Sequence, residues 1–278
     1  MGLSLSRREA SPTPYRPRGR LNSNGTVNRL PKRIILVRHG ESLGNFDEEA
    51  YSHTPDWKIP LTEKGIEQSR ALGVTLKERI GDSPVFVYCS PYMRTKQTLK
   101  YIMESFTDSP IVGAREEPRI TEQQFGNFQK GEKMRDFKNE RSDFGRFYYR
   151  FPEGEAGLDV FNRATGFIAT LFRDWGKMDP EIADKMTVIV VTHGLTLRLF
   201  MMRWFHYTVH EFENSINPPN ASFVCLNRVT VEDEWYPTQF KISQEGLALC
   251  NFPEKQFDPD LGRQHLDAII DLEESLKV

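Results

Sequence analysis

The chain predicts an α/β protein, a three-layer α/β/α sandwich around a mostly parallel sheet, and three observations predict it. Short β-branched runs recur, each empties into a loop carrying a polar or histidine residue, and segments of helical period lie between them. The first run is Ile34-Ile35-Leu36-Val37, leading into Arg38-His39-Gly40. The second is Val85-Phe86-Val87-Tyr88-Cys89, leading into Ser90-Pro91, and the third is Val188-Ile189-Val190-Val191, leading into Thr192-His193-Gly194. Helical spacing occupies residues 62–79, closed by Gly81, then 94–106 and 161–175. Strands alternating with helices make right-handed crossovers and a sheet covered on both faces. Phe223-Val224-Cys225-Leu226 reads as a further strand and Phe240-Lys241-Ile242 as an edge. In such sheets ligands gather beyond the carboxyl ends of the strands. His39, Ser90 and His193 all stand there, so three distant segments are expected to share one crevice.

Composition narrows the function classes. With 37 Lys+Arg against 39 Asp+Glu the formal charge is −2, which speaks against a broad nucleic-acid-binding face. No apolar run reaches the roughly 18 residues of a membrane span. The three cysteines, Cys89, Cys225 and Cys250, are odd in number and form no CxxC pair, as expected of a cytoplasmic chain without a disulfide framework.

The domain is expected to run over residues 33–278, after a disordered basic tail at 1–32. Through Arg33 there are eight basic residues against Glu9 alone, a net +7 that leaves −9 for the remainder. Composition does not decide among a transit peptide, a peripheral membrane contact and a solubilising extension, the last being the plainest reading. Met1-Gly2-Leu3-Ser4-Leu5-Ser6 fits the N-myristoylation pattern, which would place a lipid anchor on Gly2. At the other end Leu266, Ile269, Leu272 and Leu276 form an apolar stripe suited to packing on the domain or on a second copy in a homodimer.

Chemistry concentrates in a few positions. Arg38, His39, Ser42 and Asn45, then Arg94, then Glu122, then His193 make a cationic group in an otherwise acidic domain. Guanidinium forks match the oxygens of a phosphoryl group, and a neutral histidine can accept one as a nucleophile. A small phosphorylated metabolite is the expected ligand. His53, His206, His210 and His265 have no comparable context.

Leu36-Val37-Arg38-His39-Gly40-Glu41-Ser42 resembles the RHG signature of the histidine phosphatase superfamily, in its phosphoglycerate-mutase-like branch. Leu61-Thr62-Glu63-Lys64-Gly65-Ile66-Glu67-Gln68 resembles that family's LTxxGxxQ helix start, with Ser69 where alanine usually follows. Ser90-Pro91-Tyr92-Met93-Arg94-Thr95-Lys96-Gln97-Thr98, Ile120-Thr121-Glu122-Gln123-Gln124-Phe125-Gly126 and Val191-Thr192-His193-Gly194 are similar to its remaining motifs, in family order. The pattern is most similar to plant phosphoglycerate-mutase-like proteins.

The resemblance implies a phosphoglycerate-mutase-like fold and phosphoryl transfer through a phosphohistidine on His39, with no metal or cofactor. It implies that Arg38, Arg94 and His193, with Asn45 and Ser42, hold the phosphoryl oxygens. Glu122 becomes the proton donor and acceptor, a role that needs a carboxyl pKa raised toward neutrality. Spacing alone leaves Glu116, Glu117 and Asp136 open for that role. Residues 125–155, where basic and aromatic side chains interleave, read as a lid. Its Tyr149 and Arg150 fall in a run similar to the lid of fructose-2,6-bisphosphatases, where they would bind substrate.

Gly126-Asn127-Phe128-Gln129-Lys130-Gly131 does not match the basic element that follows this motif in mutases, so hydrolysis is expected ahead of phosphoglycerate mutation. A silent phospho-ligand binding module is the alternative of another class. Residues 46–58 depart from both comparators, and the sequence does not say what they do.

Overall fold

A computed structural model describes residues 30–229 and 240–255. The basic tail up to residue 29, its Gly2 pattern and the apolar stripe at 266–276 lie outside the described residues. The strands are β1 (Arg33–Arg38), β2 (Val85–Cys89), β3 (Ile111–Glu116), β4 (Thr187–Thr192), β5 (Phe223–Arg228) and β6 (Phe240–Ile242). They form one sheet in the order β3-β2-β4-β1-β5-β6. The pairs β1–β4, β2–β4 and β2–β3 are parallel, and β5 and β6 join antiparallel at one edge. The mostly parallel sheet expected from the alternation is therefore observed, with an antiparallel flank.

The helices are α1 (Leu43–Phe46), α2 (Ala50–His53), α3 (Glu63–Ile80), α4 (Met93–Met103), α5 (Gly131–Phe144), α6 (Gly157–Trp175), α7 (Pro180–Lys185), α8 (Gly194–Phe205), α9 (Val209–Glu213) and α10 (Gln244–Cys250). Side chains alternate across the strands, so each face has its own core. Ile35, Val37, Val87 and Ile189 pack with Leu72 and Leu76 of α3 and Ile102 of α4. Ile34, Leu36, Tyr88 and Val190 pack with Phe167 and Leu171 of α6 and Leu197 and Phe200 of α8. Three layers result.

Helix ends follow ordinary capping. The Thr62 side chain accepts from the Gly65 amide and starts α3, and Gly81, at φ +61°, closes it, a conformation glycine adopts without strain. Folded chain begins before Arg33: Leu30 is buried, and the Lys32 amide donates to Met186.

Candidate active site

Sheet register brings the two histidine loops together. Arg38 lies opposite Thr192 across the parallel β1–β4 pair, so His39 and His193 leave adjacent strands side by side. Their rings meet edge to face at a centroid distance of 5.1 Å, and both are buried. On the other side of β4, Cys89 pairs with Val191, which sets Ser90 beside His193; Ser90 Oγ lies 2.8 Å from His193 Nε2.

The loop after β1 tolerates only a close fit. A Cβ on Gly40 would come within 2.5 Å of the Gly65 carbonyl oxygen and 2.8 Å of Ser69 Oγ. The loop therefore rests directly on α3. Gln68 Oε1 accepts from the Glu41 amide at 2.9 Å, and Thr98 Oγ1 accepts from the Gly40 amide at 3.0 Å while donating to the Arg94 carbonyl at 2.7 Å. Ser69, in place of the usual alanine, donates to the Gly65 carbonyl at 2.7 Å and disturbs nothing. Glu41 pairs with Lys64 at 2.7 Å and accepts from Thr62 at 3.0 Å, so it braces the loop.

His39 Nδ1 is 2.7 Å from the Gly40 carbonyl oxygen. A carbonyl only accepts, so Nδ1 carries the hydrogen and Nε2 keeps its lone pair. Burial first, then the positive charges of Arg94 and Arg38, hold the His39 imidazole well below its usual pKa. Burial and Arg94 do the same to His193. Both shifts favour the neutral ring over the imidazolium. The Nε atoms of Arg38 and Arg94 and Nδ1 of His193 are buried with no hydrogen-bond partner among the described residues, an arrangement that an oxygen-rich anion satisfies.

A pH effect on stability follows. Because both folded-state pKa values are depressed, the unfolded chain binds protons below its imidazole pKa, about 6.5, that the folded chain does not. Stability is thus retained above that pH and lost as pH falls below it, by up to about 1.4 kcal/mol per pH unit for each ring. We expect the melting temperature to fall between pH 7 and 5.5, with a shallower slope in His39→Ala. Calorimetry across that range checks it, and equal slopes would overturn the assignment.

Glu122 caps the N-terminus of α8. Its Oε1 accepts from the Gln123 and Thr196 amides, each at 3.2 Å, and its Oε2 has one long contact, 3.4 Å to the Leu195 amide. Oε2 is the less engaged oxygen. Two of the three rivals are occupied elsewhere: Glu117 pairs with Arg119 at 2.6 Å and Glu116 with Lys96 at 2.5 Å. Arg163 of α6 holds the Glu122 loop in place, donating to the carbonyls of Arg119 (2.7 Å), Thr121 (2.8 Å) and Glu122 (3.0 Å) and pairing with Glu155 at 3.1 Å.

Three expected ligands stand differently. Ser42 is fully buried and donates to Asn45 Oδ1 at 2.9 Å, so it shapes the loop rather than facing a ligand. Tyr149 donates to Glu140 at 2.8 Å, and the exposed Arg150 pairs with Asp159 at 2.7 Å. Those acidic partners, invisible to a motif match, engage both side chains. Asn45 Oδ1 also accepts from Asn220 Nδ2 at 3.2 Å, which leaves the Asn45 amino group free to donate.

Sequence reasoning missed Asn220, whose Nδ2 also donates to the His39 carbonyl at 3.2 Å, and Tyr92, whose ring lies 5.1 Å from His193 and 4.9 Å from the Arg94 guanidinium. It missed Arg163 as well. Tyr92 lies inside a recognised motif and was findable there; the other two act through contacts far apart in sequence.

A family model described as the histidine phosphatase superfamily, branch 1, matches residues 34–237. "Phosphoglycerate mutase-like protein AT74" of Arabidopsis thaliana is 48% identical over 200 residues, covering 69% of this chain and 63% of that protein. The chain thus spans less than two thirds of that relative's length. "Broad-range acid phosphatase DET1" of Saccharomyces cerevisiae is 29% identical over 289 residues, covering 72% of this chain and 86% of that protein. Among solved structures, a mycobacterial glucosyl-3-phosphoglycerate phosphatase in complex with VO3 superposes with a TM-score of 0.57 at 20% identity, covering 76% of this chain and 96% of that one. At that identity the likeness speaks for the fold. Among the described residues no helix is long and apolar enough to cross a membrane.

Proposed function

This chain belongs to branch 1 of the histidine phosphatase superfamily, and from that premise we propose that it hydrolyses a small phosphate ester through a phosphohistidine on His39. One observation carries the reading: Nδ1 of the buried His39 is tied to the Gly40 carbonyl, so Nε2 is left as a nucleophile beside Arg38, Arg94 and His193, while burial and the charges of Arg94 and Arg38 hold the His39 pKa down.

In the first step the Nε2 lone pair attacks phosphorus in line, the bond from phosphorus to the ester oxygen breaks, and Glu122 Oε2 gives its proton to the leaving alkoxide. In the second, water attacks the phosphorus, Glu122 takes the water's proton, and the P–N bond electrons return to His39. Arg38, Arg94, His193 and the Asn45 amino group stabilise the non-bridging oxygens, so charge is carried by this chain's own groups.

Substrate class follows from the cations that remain. The Arg141 guanidinium lies 5.9 Å from the Phe125 ring centroid and 5.6 Å from that of Phe151, and its Nε is buried with no hydrogen-bond partner among the described residues. Arg146 and Arg198 bond only to Ser215 and Asn217, and no carboxylate lies within ion-pair distance of the three among the described residues. A substrate with a second anionic group, a phosphorylated acid or a bisphosphate, complements them. Arg141→Ala is expected to raise KM for 3-phosphoglycerate or fructose 1,6-bisphosphate about tenfold more than KM for an aryl phosphate, the loss of ~1.4 kcal/mol of binding. Equal changes for all three would overturn this class.

The reading is tested by incubating the protein with 32P-labelled phosphoglycerates, 2,3-bisphosphoglycerate, fructose bisphosphates and an aryl phosphate. Acid-labile label on the protein and free phosphate in solution support a phosphatase. Interconversion of phosphoglycerates would replace it with a mutase, and ligand binding without turnover with a phospho-ligand module. Cys89, Cys225 and Cys250 are free and buried, which supports a cytoplasmic location.

A further inference from the structure

Residues 46–58, which no motif explained, reach the phosphoryl-binding arginine. Asp56 opens a 3-10 turn (Asp56–Lys58), and its Oδ1 accepts from Arg94 Nη1 at 2.7 Å. Its backbone carbonyl oxygen accepts from the same nitrogen at 2.8 Å. The pair is enclosed, with 3% of the Arg94 side chain and 13% of the Asp56 side chain exposed. Both bonds fall on one nitrogen. The rest of the guanidinium, Nε and Nη2, makes no hydrogen bond to the described protein, and Nε is buried.

The segment is itself anchored. Gln129 donates its amide to the Tyr51 carbonyl at 3.1 Å, Ser52 Oγ donates to the Gln129 carbonyl at 3.0 Å, and Lys138 pairs with Glu48 at 2.5 Å. Asp56 is therefore presented from a segment docked against the lid.

A guanidinium has two hydrogen-bonding forks, and only a fixed rotation about its stem aims one of them at a bound phosphoryl group. With Nη1 taken twice by residue 56, the free fork is Nε–Nη2. The carboxylate also offsets part of the repulsion between Arg94 and Arg38, which share the site. We propose that Asp56 is a positioning residue for phosphoryl transfer, pinning Nη1 of Arg94 so that its Nε–Nη2 fork faces the phosphoryl oxygens. This makes the 46–58 segment part of the active site, and it rests on the phosphohistidine reading above.

The test is a double-mutant cycle on the full chain with an aryl phosphate. Asp56→Ala should lower kcat/KM about a hundredfold, the order expected when a binding group is displaced by about an ångström. Asp56→Asn, which keeps an acceptor oxygen and loses the charge, should lose about tenfold, and it carries the test if the alanine variant fails to fold. On an Arg94→Ala background, Asp56→Ala should change kcat/KM by less than about twofold, because the residue acts only through Arg94. Orthovanadate, which mimics the transferring group, should lose affinity in the same order across the Asp56 series. Wild-type kcat/KM and vanadate affinity in both Asp56 variants would overturn the proposal, as would full additivity with Arg94→Ala. A wild type that forms no phosphohistidine would sink the catalytic reading instead, while vanadate binding still reports whether Asp56 pins Arg94.

Discussion

His39→Ala is expected to lower phosphate release by about four orders of magnitude or more and to leave no acid-labile label on the protein. Loss of a nucleophile removes the covalent path altogether, and what remains is the modest acceleration that binding and electrostatics supply to direct attack by water. The variant should stay folded. The His39 side chain makes one hydrogen bond, to the adjacent Gly40 carbonyl, and an edge contact with His193, whereas the loop is held by backbone bonds to Gln68 and Thr98 and by its fit on Gly65. Quench-flow labelling beside a melting curve checks both halves. Label persisting on the alanine variant would move the nucleophile to another residue, with His193 the nearest candidate.

Glu122→Gln is expected to separate the two halves of the reaction. The amide can still accept from the Thr196 amide at the start of α8, so the helix end keeps its cap, but no proton can be delivered or taken. For an alkyl phosphate, whose leaving group must be protonated, kcat/KM should fall by about 10²- to 10⁴-fold. For an aryl phosphate with an acidic phenol the first step should lose less than about tenfold. Hydrolysis of the intermediate then limits turnover, and labelled protein accumulates. Rates over a series of leaving groups check this, and an equal loss for alkyl and aryl esters would remove Glu122 from the proton-transfer role. The carboxylate's place at the amides of Leu195 and Thr196 also sets it beside His193, one residue before α8.

The elements that periodicity left unread have distinct causes. Segment α8 carries Gly-Leu-Thr-Leu-Arg-Leu-Phe-Met-Met-Arg-Trp-Phe, buried nearly all round, so it has no apolar stripe for a periodicity reading to find. The edge strand β3 is exposed along almost its whole length and lacks the alternation of a half-covered strand. In α5 the basic and aromatic mixture masked a surface helix as lid loop. Ala156 stands at the start of α6 with its amide donating to Asp159 at 2.8 Å, so the capping acceptor comes from three residues on.

The β-branched strands, the loops that follow them and the residue types in those loops are legible along the chain. These are local quantities: strand burial is written in runs of Ile, Val and Leu, and phosphoryl chemistry in the arginine and histidine side chains at their ends. That His39, Ser90 and His193 share one end of the sheet also follows from where each loop begins, whereas the pairing of His39 with His193 needs β1 and β4 to be neighbours, which the structure supplies. Tertiary structure alone decided which side chains are free to act. Ser42, Tyr149 and Arg150 have suitable chemistry but are taken by Asn45, Glu140 and Asp159, while Arg141 pairs with no carboxylate among the described residues. It also decided that Asp56 grips Arg94 across 38 residues and that Arg163 holds the Glu122 loop across 41. Such contacts depend on how separate segments pack, and a hydrogen bond's partner is set by distance in space, which no spacing along the chain encodes.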